Sequence, residues 1–173
     1  MDFFTLVNER RSMRKYSNTP VEEEKVQKIL ETANKAPSAG NLQGYEIYVV
    51  RDLKLRQELV KAAWDQEFLA ESPIVLVFCT NPSRVIERYK ERGSELYCIQ
   101  DATIACAFSM LAAKALGLDT VWVGAFDEAS VRKIAKIPSN LRPVALLPIG
   151  YAGKVPSLRP RRELHDLVHE SST

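Results

Sequence analysis

Three guanidiniums and a hydroxyl fall within five residues at Arg10-Arg11-Ser12-Met13-Arg14, and a second basic group, Arg159-Pro160-Arg161-Arg162, lies near the other end of the chain. Guanidinium is a planar fork of donors matched to the oxygens of phosphate and carboxylate. Between the two clusters runs Ala36-Pro37-Ser38-Ala39-Gly40-Asn41-Leu42-Gln43, a turn-forming stretch dense in hydrogen-bonding side chains. Alone, the first cluster reads as a solvated basic turn and the stretch as a loop that ends a helix. Together they make a cradle for a phosphorylated, planar, amide-bearing ligand, and flavin mononucleotide (FMN) meets that description. A phosphoryl group carries about −1.5 to −2 charges near neutral pH, so several arginines fit around it without residual repulsion. The amide-like edge of the flavin ring pairs with Asn and Gln amides.

Other chemistries find less support. There is no GxGxxG and no GxxxxGK[ST], so a nucleotide site must be made from arginines and turns. Cys79, Cys98 and Cys106 form no CxxC pair and no ligand-spaced set with histidine, and read as small buried hydrophobes of a reducing compartment. His165 and His169 stand four apart, but only Asp166 and Glu170 lie beside them, so an exposed terminal turn is expected rather than a metal site. Trp64, Tyr89 and Tyr97 could stack on a flavin or substrate, and core packing explains them as well. The net charge is 24 − 22 = +2, too small by itself to argue for nucleic acid. A basic phosphate- or RNA-binding module would use the same arginines and lose affinity steeply with salt. An aromatic share of 8% and the lack of a nucleic-acid motif weigh against it. Met1 to Thr5 does not read as a signal peptide. The longest apolar stretch, Ile99 to Leu118, contains Gln100, Asp101 and Lys114, which argues against a membrane span and leaves the cytoplasm as the expected location.

The elements that must position these groups follow from periodicity. A chain of 173 residues with a 46% hydrophobic share suits one domain, residues 1–173, with 150–173 as an extended C-terminal tail. Asp2 caps a short helix carrying Phe3, Phe4, Leu6 and Val7. Thr19-Pro20 and the acids Glu22 to Glu24 open a second helix, with Val26, Ile29, Leu30 and Ala33 inward and Pro37 ending it. Strands are expected over Tyr45–Val50, Pro73–Cys79, Thr120–Val123 and Val144–Ile149, and the second, uniformly apolar, is covered on both faces. Helices are expected over Leu53–Trp64, Glu95–Gly117 and Glu128–Lys136. The long one is apolar almost all round, which suits a core centre or, preferably, a subunit interface, and Gly117 suits its C-cap. That order gives an α+β or α/β sandwich with helices over a sheet.

In order and spacing, Arg10 to Tyr16, Ala36 to Gln43, Gly117-Leu118 with Trp122 to Phe126, Pro148 to Tyr151, and Arg159 to Arg162 resemble the FMN-dependent nitroreductase family over nearly the whole chain. The resemblance implies an α-β-α sandwich with a central, mostly antiparallel sheet, and an intertwined homodimer with two FMN sites at its interface. It implies that Arg10, Ser12 and Arg14 hold the phosphate and ribityl chain with Arg11 adjacent, and that Arg159 and Arg161 close on the phosphate from the tail. Pro37, Ser38, Asn41 and Gln43 would approach the flavin from the partner subunit. Val123 and Gly124 would lie near its reactive face, with a backbone N–H directed at flavin N5. No catalytic side chain and no metal are expected, because the cofactor carries the hydride chemistry. NAD(P)H would reduce FMN, and electrons would pass by a ping-pong scheme to a nitroaromatic, quinone or flavin. The same fold is also used for dehalogenation, ring dehydrogenation and flavin fragmentation. Two departures bear on the acceptor pocket. Members often carry Gln-Pro-Trp where this chain has Gln43-Gly44-Tyr45, and the chain is too short for the helical insertions of larger members.

Overall fold

Four antiparallel strands form the centre of the molecule: β1 (Tyr45–Val50), β2 (Ile74–Thr80), β3 (Asp119–Thr120) and β4 (Arg142–Gly150), in the order β1-β2-β4-β3. The computed structural model describes residues 2–171; Met1 and the last two residues of the expected tail, Ser172 and Thr173, lie outside the described residues. Every residue of β2 is buried, as its unbroken apolar run requires of a strand covered on both faces. Its side chains alternate between two cores. Val75, Val77 and Cys79 join Leu59, Leu69, Val131 and Leu146 on one face, while Ile74, Leu76 and Phe78 join Val26, Ile29, Ala105 and Leu147 on the other. The sheet therefore sits between α3 (Leu53–Ala62), α4 (Phe68–Glu71) and α7 (Glu128–Ile134) on one side and α2 (Glu23–Asn34) and α6 (Cys98–Ala115) on the other. This is the α-β-α sandwich that the sequence implied.

Helix ends follow their capping chemistry. Asp2 accepts from the Phe4 and Thr5 N–H groups to start α1 (Phe3–Glu9), Asp52 accepts from Leu55 to start α3, and Asp127 accepts from Ser130 to start α7. Leu118 N–H reaches Ala113 O (2.9 Å) and Gly117 N–H reaches Lys114 O (3.1 Å), with Gly117 at φ +76°. That closes α6 as the sequence suggested, in a turn that glycine adopts at little cost.

Several boundaries shift by one or two residues, and three differ by more. The second helix opens at Glu23 rather than at Thr19-Pro20, and the Glu22 carboxylate accepts from the Tyr151 hydroxyl (2.8 Å) instead of capping. Regular α-helix in the long segment begins only at Cys98, after α5 (Ile86–Arg92) and a wide π turn over Gly93–Tyr97. The expected strand 120–123 pairs with β4 only through Asp119 and Thr120, then touches it again at the single bridge Val123 to Leu146. The helical run from Ile86 to Ala115 is long and apolar enough, by length and composition, to cross a membrane. Its α6 portion is nevertheless built into the sandwich, packed on α2, β2 and β4. Beyond β4 the described residues, to 171, run without regular structure, except for a bridge from Ala152 to Tyr16 and a short turn over Leu164–Asp166.

Candidate cofactor site

The first arginine cluster is an extended segment fixed against the sheet edge. Arg10 caps α1 through its N–H to Leu6 O, and Met13 N–H donates to Thr120 O (3.0 Å). Met13 is buried, and the Tyr16 hydroxyl lies 3.2 Å from the carbonyls of both Met13 and Pro148. Met13 turns into the core here, while its neighbours Ser12 and Arg14 face the cavity. The tail crosses the same place. Arg10, Arg11, Ser12 and Arg14 line a cavity of about 660 Å³ together with Pro156 to Arg161, so the two basic ends of the chain meet.

The cavity has no carboxylate in its lining. Arg10 Nη1 is buried and has no hydrogen-bond partner among the described residues. Burial, then the nearby Arg161 and Arg11 charges, hold the Arg10 pKa below the usual guanidinium value. A buried donor without an acceptor and a group of like charges both cost free energy until an anion arrives. A phosphate, with several acceptor oxygens and up to two negative charges, answers both, so these residues fit FMN. Arg11 also bonds the carbonyls of Asn8 and Arg10. Arg162 lies outside the cavity lining and bonds Asp166 O.

Pro37, Ser38, Asn41 and Gln43 are not part of this cavity. Pro37 and Ser38 line a different one, of about 710 Å³, with Tyr89, Tyr97 and residues of α6, and the two linings share no residue. The loop is tightly wound. Gly40, Asn41 and Gln43 have φ of +57°, +58° and +45°. Ser38 Oγ accepts from Gln43 N–H (3.0 Å), and Asn41 Oδ1 accepts from Gln43 Nε2 (2.6 Å). Arg84 Nε donates to the carbonyls of Leu42 and Gln43, each at 2.8 Å. The Asp101 carboxylate accepts from the N–H groups of Ala39 (2.9 Å) and Gly44 (3.1 Å). Sequence reasoning did not single out Asp101 or Arg84. The available signal for Asp101 was a lone carboxylate in the first turn of the mostly apolar α6.

Val123 and Gly124 lie in a third place, at the end of the β3 edge. Val123 is 2% exposed, and its N–H and carbonyl both pair with Leu146 (3.0 and 2.9 Å). Its amide is thus not available to a ligand. Gly124 is exposed, and a Cβ there would meet Trp122 Nε1 at 3.1 Å. Among the described residues, no group of three His, Cys, Asp or Glu side chains is placed to hold a metal. All three cysteines are buried, and burial pushes the Cys79 thiol up to about 12 and raises Cys98 and Cys106 as well.

A family model described as "Nitroreductase family" matches residues 7–67 and 60–151. The chain is 32% identical over 178 residues to a NADH dehydrogenase of Thermus thermophilus, with 87% of each chain covered. It superposes on the crystal structure of a nitroreductase family protein from Clostridium novyi NT with a TM-score of 0.80 and 31% identity, over 88% of this chain and 86% of that one. On the NADPH:FMN oxidoreductase of Vibrio harveyi, solved in complex with NAD+, the TM-score is 0.89 at 26% identity, over 98% of this chain and 77% of that one.

Proposed function

Because the chain belongs to the nitroreductase family and is an NAD(P)H-dependent flavin oxidoreductase, we propose that it serves a planar acceptor (a nitroaromatic, a quinone or a free flavin) from FMN sites shared between the two subunits of a homodimer. FMN, when bound, supplies the hydride and electron chemistry, with NAD(P)H as donor. The protein binds, orients and shields. Arg10, Arg14, Arg159 and Arg161 hold the phosphate, Arg11 adds charge beside them, and the Ser12 hydroxyl bonds the phosphate or ribityl chain. The partner's copy of the 37–43 loop reaches the ring edge with Pro37, Ser38, Asn41 and Gln43. At the flavin N5 edge, Gly124 N–H is the donor, because Val123 N–H is held by Leu146. Residues 1–173 act as one FMN-binding unit in this reading, with the tail over the phosphate.

The single observation that carries the reading is the meeting of both basic ends on one carboxylate-free cavity, where Arg10 Nη1 is buried without a partner. Two features support sharing between subunits. The loop and the cradle lie on separate cavities of one protomer. Phe3, Phe4 and Val7 on α1, and Val155, Leu158, Leu164 and Leu167 on the tail, are exposed, as residues that a partner subunit covers would be in a lone protomer. Absorbance of the purified protein tests the reading: flavin bands, and NAD(P)H consumption that depends on an added acceptor, are expected. Colourless protein that takes up no added FMN, or retention of RNA in its place, would contradict it.

A further inference from the structure

We propose that Asp101 is the positioning residue for the flavin-contacting loop, and that it acts on the FMN site of the other subunit rather than on that of its own; this rests on the shared-site reading above. The loop is bent where few side chains bend, with Asn41 and Gln43 as well as Gly40 in left-handed backbone. Non-glycine residues stay there only when their surroundings over-determine the conformation. Asp101 is 2% exposed, and its two oxygens take one N–H from each end of the turn: Oδ1 from Ala39 and Oδ2 from Gly44. A single carboxylate therefore closes the loop as a staple. Among the described residues no Lys or Arg pairs with it, so main-chain donors are the contacts that satisfy its charge.

Gly44 is the other half of the device. A Cβ there would come within 2.8 Å of Val85 Cγ1 and 2.9 Å of Asp101 Oδ2. A proline at this point would also remove the N–H that Oδ2 accepts. Gly44 and Asp101 are thus a matched pair in this chain.

Asp101→Asn keeps the volume but turns an amide donor toward one of the two N–H groups. FMN binding by this dimer should weaken about tenfold or more, the scale of one buried donor left unpaired, with far-UV circular dichroism and dimer mass unchanged. The distinguishing experiment uses apo dimers purified through two different tags, one chain Arg14→Ala and the other Asp101→Asn, titrated with FMN by flavin fluorescence. One site then combines intact arginines with an intact loop. We expect one FMN per mixed dimer at wild-type affinity and a second bound more weakly than in either homodimer. Two weakened sites, one with the affinity of each homodimer and none at wild-type affinity, would overturn the inference, since Asp101 would then act within its own protomer or through general stability. Wild-type affinity in the Asp101→Asn homodimer would overturn it too, leaving the functional reading intact, whereas wild-type affinity in the Arg14→Ala homodimer would overturn that reading itself. Should Asp101→Asn not fold, Ala39→Pro replaces it in the mixed dimer with the same expected and overturning results. Ser38 is extended (φ −141°, ψ 159°), as a residue before proline must be, and the ring removes the N–H facing Oδ1.

Discussion

The arginine cradle leaves donors without acceptors, whereas the loop from Ala39 to Gly44 directs most of its backbone donors and acceptors to partners inside the fold. In the cradle, Arg10 Nη1 is buried without a partner among the described residues, and Arg14, Arg159 and Arg161 line the same carboxylate-free cavity. In the loop, Asp101, Ser38 and Arg84 bind amides and carbonyls at 2.8–3.1 Å. The difference teaches where binding energy resides. A buried donor without an acceptor costs free energy until an anion enters, so in the proposed reading the phosphate would dominate affinity. The loop is ordered in advance, so it adds shape at little entropic cost.

The largest way to break this contrast is to remove the phosphate. Riboflavin should bind the apoprotein at least about 3 kcal/mol more weakly than FMN, since two or more charged hydrogen bonds are lost; similar affinities in a fluorescence titration would dissolve the distinction. Next, Arg14→Ala should weaken FMN by about 1.5–3 kcal/mol, the scale of one charged hydrogen bond, while circular dichroism stays unchanged. On the loop side the effect should be smaller. Asn41→Ala places a side chain with poor left-handed tolerance at φ +58° and removes the acceptor of Gln43 Nε2. A loss of about 1 kcal/mol is expected in both thermal stability and FMN affinity, whereas Asn41→Gly should leave stability nearly unchanged. The smallest effect lies in neither region. The thiolate is the reactive form of cysteine, and burial holds the Cys79 thiol protonated far above pH 8. Iodoacetamide at pH 8 should therefore leave native Cys79, Cys98 and Cys106 unlabelled and FMN binding intact, with labelling seen after denaturation.

Much of the cradle was legible in the sequence. Arg10 to Arg14 and Arg159 to Arg161 are dense local signals, and the resemblance supplied the long-range fact that they meet. The layers were legible for a similar reason: β2 is continuously apolar, and three helices begin at Asp2, Asp52 and Asp127. What stayed hidden is set by tertiary partners. The short pairing of β3, the wide turn at Gly93–Tyr97 and the carboxylate of Asp101 on two distant amides have no local pattern. The resemblance implied a backbone N–H from the Val123-Gly124 pair, and only the fold reveals that Leu146 already accepts the one on Val123.

The central claim, that the two ends of the chain grip one phosphate, is tested most directly by a double-mutant cycle on FMN affinity with Arg10→Ala, Arg161→Ala and the pair. If both guanidiniums serve the same anion, the losses will fail to add, with a coupling of about 0.5–3 kcal/mol. Strict additivity, or an Arg161→Ala variant that binds FMN as the wild type does, would contradict the account.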